Sequence, residues 1–181
     1  MKLSNARYES IKKDVVKVLS KYNINTIPID PFQLAKRMGI SLIKYSEMDD
    51  CDTLVSNQLQ KDGFISVVYK KIFYNDKCLP NKIRFTIFHE IGHLVRNHHQ
   101  FSDLSEAEAN WFAAYIMAPP PLVDLFDIDE YTDIVAIFHT TLECATYSMN
   151  RYVSWKSQSR KLKDYEIELI NLFKKYKNKK H

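Results

Sequence analysis

The sequence predicts an α+β fold, with a small β-sheet packed on helices and a helical C-terminal part. Three observations predict it: apolar residues at helical spacing open the chain, strand-like runs gather between residues 40 and 74, and helical patterns fill the rest. The 181 residues are 45% apolar, which suits one globular domain, or a compact domain with a helical appendage. We place the compact domain at 1–121 and the helical subdomain at 122–181. With 11 Tyr, 10 Phe and 2 Trp a sizeable core can be buried, and three glycines leave few sharp loops.

The first helix is marked by Tyr8, Ile11, Val15, Val18, Leu19 and Tyr22 between Lys and Asp residues. Pro28 and Pro31 punctuate the chain. Asp30 is placed to cap a short helix through Leu34 and Met38 that stops at Gly39. Residues 40–45, 64–69 and 72–74 have strand composition, and a Lys70-Lys71 turn joins the last two as a hairpin. The acidic stretch from Glu47 to Asp52 reads as a loop. A longer helix is expected over 81–97 and another over 105–117, stopped by Pro119-Pro120-Pro121. Helical patterns follow near 130–138 and 142–153, then an amphipathic helix carrying Ile167, Leu169, Ile170, Leu172 and Phe173. No internal repeat is visible.

Composition and charge exclude several classes. No apolar run reaches the ~18 residues of a membrane helix, and Met1–Arg7 turns polar without a signal-peptide core. Cys51, Cys78 and Cys144 are far apart and form no C-x-x-C pair, so they read as reduced thiols of a cytoplasmic protein. The net charge of +4 is unevenly spread. Residues 1–100 hold 16 basic and 10 acidic side chains, residues 101–150 none and 9, and residues 151–181 hold 10 and 3. The run Lys174 to Lys180 is read as a frayed, solvated tail.

The informative segment is Phe85-Thr86-Ile87-Phe88-His89-Glu90-Ile91-Gly92-His93-Leu94-Val95, which contains H-E-x-x-H. Chance alone places that motif in about one such chain in a hundred. Four helical residues turn through about 400°, so His89 and His93 project from one face, one turn apart. That spacing lets two imidazoles reach one zinc ion while Glu90, one position round, meets a metal-bound water. Ile87, Ile91 and Leu94 form an apolar ridge on roughly the opposite side, so the histidines are not core residues of that ridge. Phe85 and Gly92 on their own side argue that it too is packed, with Gly92 permitting close approach of another segment.

Two positions compete for third ligand. His99 has the six-residue spacing of H-E-x-x-H-x-x-G-x-x-H, but Arg96 stands where that pattern needs glycine. His98 and His99 then read as ordinary residues at a helix end. On the following helix Glu106, Asn110, Ala113 and Met117 share one face. Ser105-x-x-Glu108 reads as a capping box, which occupies Glu108 and leaves Glu106 as the preferred ligand. Asn110 is placed to hold the outer nitrogen of a zinc histidine, and Ala107, Ala109, Ala113 and Ala114 let the two helices approach closely.

Residues 84–94, then Glu106-Ala107-Glu108-Ala109-Asn110-Trp111-Phe112-Ala113-Ala114 and Met117-Ala118-Pro119, resemble the ImmA/IrrE family of metallo-endopeptidases. The specific likeness covers about residues 81–121. It departs at Met117-Ala118-Pro119, where the family has a more aliphatic run ending in Met-Pro. The resemblance implies a zincin-like domain with His89, His93 and Glu106 as zinc ligands and Glu90 as catalytic carboxylate. It also implies cytoplasmic cleavage of helix-turn-helix repressors in the regulation of mobile elements, prophages or stress genes. Tyr115, His139, Tyr147 and Arg151 have the chemistry to stabilise an oxyanion.

Residues 131–152 also carry a helix-turn-helix pattern. A DNA reader needs Lys or Arg beside its recognition helix, and this segment has Arg151 alone, with Glu130, Asp133 and Glu143. We read it as a helix pair for packing or for gripping a protein. A metal-dependent sensor or toxin–antitoxin component that binds its partner without cutting it is the competing class.

Overall fold

The computed structural model describes residues 1–48, 62–100, 102–158 and 161–180. Helix α1 (Asn5–Lys21) starts where Ser4 accepts the Arg7 N–H, and it buries Ile11, Val15, Val16, Val18 and Leu19. Helix α2 (Pro31–Arg37) starts at Asp30, whose carboxylate accepts the Phe32 N–H at 2.9 Å. Its exit is turned at Gly39, with φ +71°.

The sheet has three strands, β1 (Ser41–Lys44), β2 (Gly63–Ser66) and β3 (Lys71–Tyr74), in the order β1-β3-β2. β1 runs parallel to β3, and β2 antiparallel, so Leu42 and Ile65 both flank Ile72. The expected hairpin forms, but its turn is Val67–Lys70, with Lys70 at φ +49°, and Lys71 opens β3. The acidic loop beyond Met48, and Cys51 within it, lie outside the described residues. Cys78 and Cys144 are free thiols.

Helix α3 (Pro80–Val95) lies across β2 and β3. Gly63 makes that approach possible: a β-carbon there would stand 2.6 Å from the Thr86 methyl and 2.8 Å from the Phe73 carbonyl oxygen. Helix α4 (Asp103–Met117) packs along α3, and its other side meets α1. Short helices α5 (Pro120–Leu125) and α6 (Tyr131–Phe138) lead to α7 (Leu142–Lys156) and α8 (Asp164–Lys180). One continuous core runs from Ile11 through Ile72, Ile87, Phe112 and Phe138 to Phe173.

Two expectations change. The run from Lys174 is helical, not frayed, because Tyr176 donates to the Ile27 carbonyl at 2.9 Å and Lys177 to the Leu125 carbonyl at 2.6 Å. α4 begins at Asp103, two residues early, and its capping box is Ser102 with Ser105. Glu108 is therefore free of the cap. No described helix is long and apolar enough to cross a membrane.

Candidate metal centre

α3 places His89, Glu90 and His93, and α4 places Glu106 opposite them. The gap between the helices is set at Gly92, where an added β-carbon would lie 3.1–3.2 Å from the Phe112 side chain. Both flanks of α3 are packed: Ile87 and Ile91 are buried on one side, Gly92 and His93 on the other, and Glu90 is buried between Ile87 and His93.

The two Nε2 atoms of His89 and His93 stand 3.0 Å apart. Glu106 brings Oε2 to 3.3 Å from His89 Nε2 and Oε1 to 3.2 Å from His93 Nε2. His89, His93 and Glu106 are the described His, Cys, Asp or Glu side chains able to share one metal ion, their ligand atoms all lying within 4.8 Å of one another. Ligands about 2.0–2.1 Å from a tetrahedral zinc ion lie about 3.3 Å from each other, so the donor set fits that ion in kind and in spacing. Burial pushes the His93 imidazole down to about 3, with His89 and His98 adding to the effect, and burial lowers His89 as well. Both shifts favour the neutral imidazole, the form a metal needs.

Glu90 points its carboxyl to the same place, with Oε1 4.0 Å from His89 Nε2. Burial, then the nearby charge of Glu106, pushes Glu90 up to about 8, against the pull of the Ile65 backbone N–H. Strand β2 thus delivers a main-chain donor to the carboxyl.

The outer nitrogens are also engaged. His89 Nδ1 lies 3.0 Å from Asn110 Oδ1, one turn beyond Glu106. His93 Nδ1 lies 3.0 Å from His98 Nδ1, and His98 Nε2 lies 3.0 Å from Glu108 Oε2. If the Nε2 atom of His93 faces a cation, its Nδ1 carries the proton. His98 must then accept at Nδ1 and donate from Nε2 to Glu108, so one tautomer satisfies the whole chain. Glu108 is anchored by Arg7 and by Arg96, whose Nε donates at 3.1 Å.

Sequence reasoning missed His98 and the true place of Glu108. The signal was Asn97. It adopts φ +57° after the helix, the His98 N–H returns to the His93 carbonyl at 3.0 Å, and the Asn97 N–H to Leu94 at 3.1 Å. This Schellman closure brings the sixth residue back over the first. His99 is exposed and outside the cluster. Of the proposed oxyanion groups, Tyr115 is buried and stacked on Trp111, His139 is exposed at the end of α6, and Tyr147 and Arg151 line a cavity beyond Asn110.

The model of the IrrE N-terminal-like domain, a metallopeptidase family, matches residues 33–147. The chain belongs to that family. The match runs from α2 through the sheet, α3 and α4 into the first turns of α7, so it takes in every residue of the cluster. The family resemblance noted in the sequence and the mixed α+β architecture agree with this membership. No curated protein matches the chain.

Proposed function

We propose that this chain is a zinc-dependent endopeptidase that cuts a cytoplasmic protein, a helix-turn-helix repressor of a mobile element, prophage or stress regulon. The observation that carries the reading is the convergence of His89, His93 and Glu106 with the Glu90 carboxyl beside them. In this reading His89, His93 and Glu106 hold the ion. Zinc in such a site supplies Lewis acidity toward a peptide carbonyl and brings the pKa of water towards ~7. Beside a cation held by His89, His93 and Glu106, the Glu90 carboxyl would be drawn back down from its raised value. The ionised Glu90 carboxylate would take the proton of the attacking water and deliver it to the leaving amine nitrogen. Its burial keeps bulk solvent from competing for that proton, and the Ile65 N–H aims the carboxyl. Asn110 and His98 orient the two imidazoles from behind.

The α6–α7 pair serves as a packing or protein-gripping surface, not a DNA reader. Glu130, Asp133 and Glu143 sit on it or beside it, and its one arginine, Arg151, lines the cavity.

The test is incubation of zinc-loaded protein with candidate repressors. Two fragments are expected, and Glu90→Gln should keep one zinc per chain while cleavage falls by about 10²–10⁴-fold. Zinc binding with partner capture but no cleavage would favour a sensor. Failure to bind zinc at all would overturn the assignment.

A further inference from the structure

A cavity of about 960 Å³ opens beside Asn110 and is walled by α1, α4 and α7. Four charged side chains of helices and loop line it: Glu9, Lys12, Arg151 and Lys163. Glu9 accepts from both lysines, which leaves Arg151 as the cation with no carboxylate partner among the described residues. Its Nη2 donates to the Ala114 carbonyl at 2.9 Å and to Ser148 Oγ at 2.6 Å. Nε is enclosed and meets no acceptor, and Nη1 has none among the described residues. A largely buried guanidinium held only by neutral acceptors is costly, and a carboxylate offers the planar partner its donors match.

The position adds a second constraint. Ala114 lies two turns beyond Glu106 on the same row of α4, about 12 Å along the helix. That is too far for Arg151 to meet an oxyanion at the cluster. An extended peptide covers the distance in about three or four residues. Trp111 and Trp155 add aromatic surface to the same cavity.

We propose that Arg151 is a carboxylate-binding subsite, which selects an acidic side chain three or four residues from the bond that is cut. The assignment rests on the peptidase reading for its register, not for the binding itself. The probe is a set of synthetic peptides that differ by Glu or Gln at one position, titrated into zinc-loaded Glu90→Gln protein. One position should show at least tenfold tighter binding of Glu over Gln, and Arg151→Met should erase that preference. Tyr147→Glu adds a carboxylate one turn from Arg151 at an exposed site, and it should lower the preference even if Arg151→Met does not fold. Equal binding of both peptides, or a preference that survives both substitutions, overturns the subsite. Acidic preference without cleavage by the wild-type chain refutes the peptidase and leaves the subsite standing. Cleavage without acidic preference does the reverse.

Discussion

His98 accepts from one of the paired imidazoles and hands the charge demand back to Glu108, so its loss frees a ring without removing a ligand. His98→Ala should weaken zinc affinity by about 10–100-fold, the usual cost of losing a group that orients a metal histidine, as read by competition with a chelator. His98→Asn keeps an acceptor near the Nδ1 position and should recover part of the loss. His93→Ala should abolish stoichiometric zinc binding altogether, measured by metal analysis of the purified chain. At this scale the sequence was half legible. H-E-x-x-H announced its own geometry through helical spacing, and the face shared by Glu106 and Asn110 was readable in the same way. Glu108 was misread because the cap lay at Ser102, three residues upstream of Ser105, and its true partners, Arg7 and Arg96, are distant in sequence.

Two glycines govern how the elements meet. Gly63→Ala forces a β-carbon against the Phe73 carbonyl oxygen, which cannot swing aside, and should cost about 3 kcal/mol in urea unfolding. Gly92→Ala meets the Phe112 side chain rather than backbone as its nearest neighbour. It gains roughly 1 kcal/mol of helix propensity against the strain of overpacking, so the net cost should be smaller, near about 1 kcal/mol. The widened gap should nevertheless loosen zinc binding, which separates a site effect from a stability effect. The helices were legible because their apolar spacing and Pro, Asp or Ser starts are local signals. The pairing of β1 with β3 was not, since parallel neighbours leave no turn between them to read.

Across the molecule, the last helix closes on the first. Glu9 of α1 accepts from Lys163 and from the Tyr165 hydroxyl of α8, as well as from Lys12. Burial pushes Glu9 up, but these donors outweigh it and hold the carboxyl at about 2. A carboxyl depressed in the folded state stabilises fully above its ordinary value near 4.5 and loses that contribution as pH falls toward 2. Glu9→Gln should thus lower stability by about 1 kcal/mol at pH 7. The gap from wild type should stay flat above pH 5 and close by pH 2, measured as urea midpoints across that range. Nothing in the sequence pattern paired α1 with α8, because the lysine-rich tail looked solvated. Tyr176 and Lys177 find main-chain acceptors that no local pattern encodes.

The aromatic ring of Phe112 seated on bare backbone at Gly92 means that van der Waals contact, not coordination, spaces the two rods. The scaffold is preassembled. Stripping the ion with a chelator should therefore leave the far-ultraviolet circular dichroism intact and only lower the melting temperature, by the amount that ligand mass action predicts.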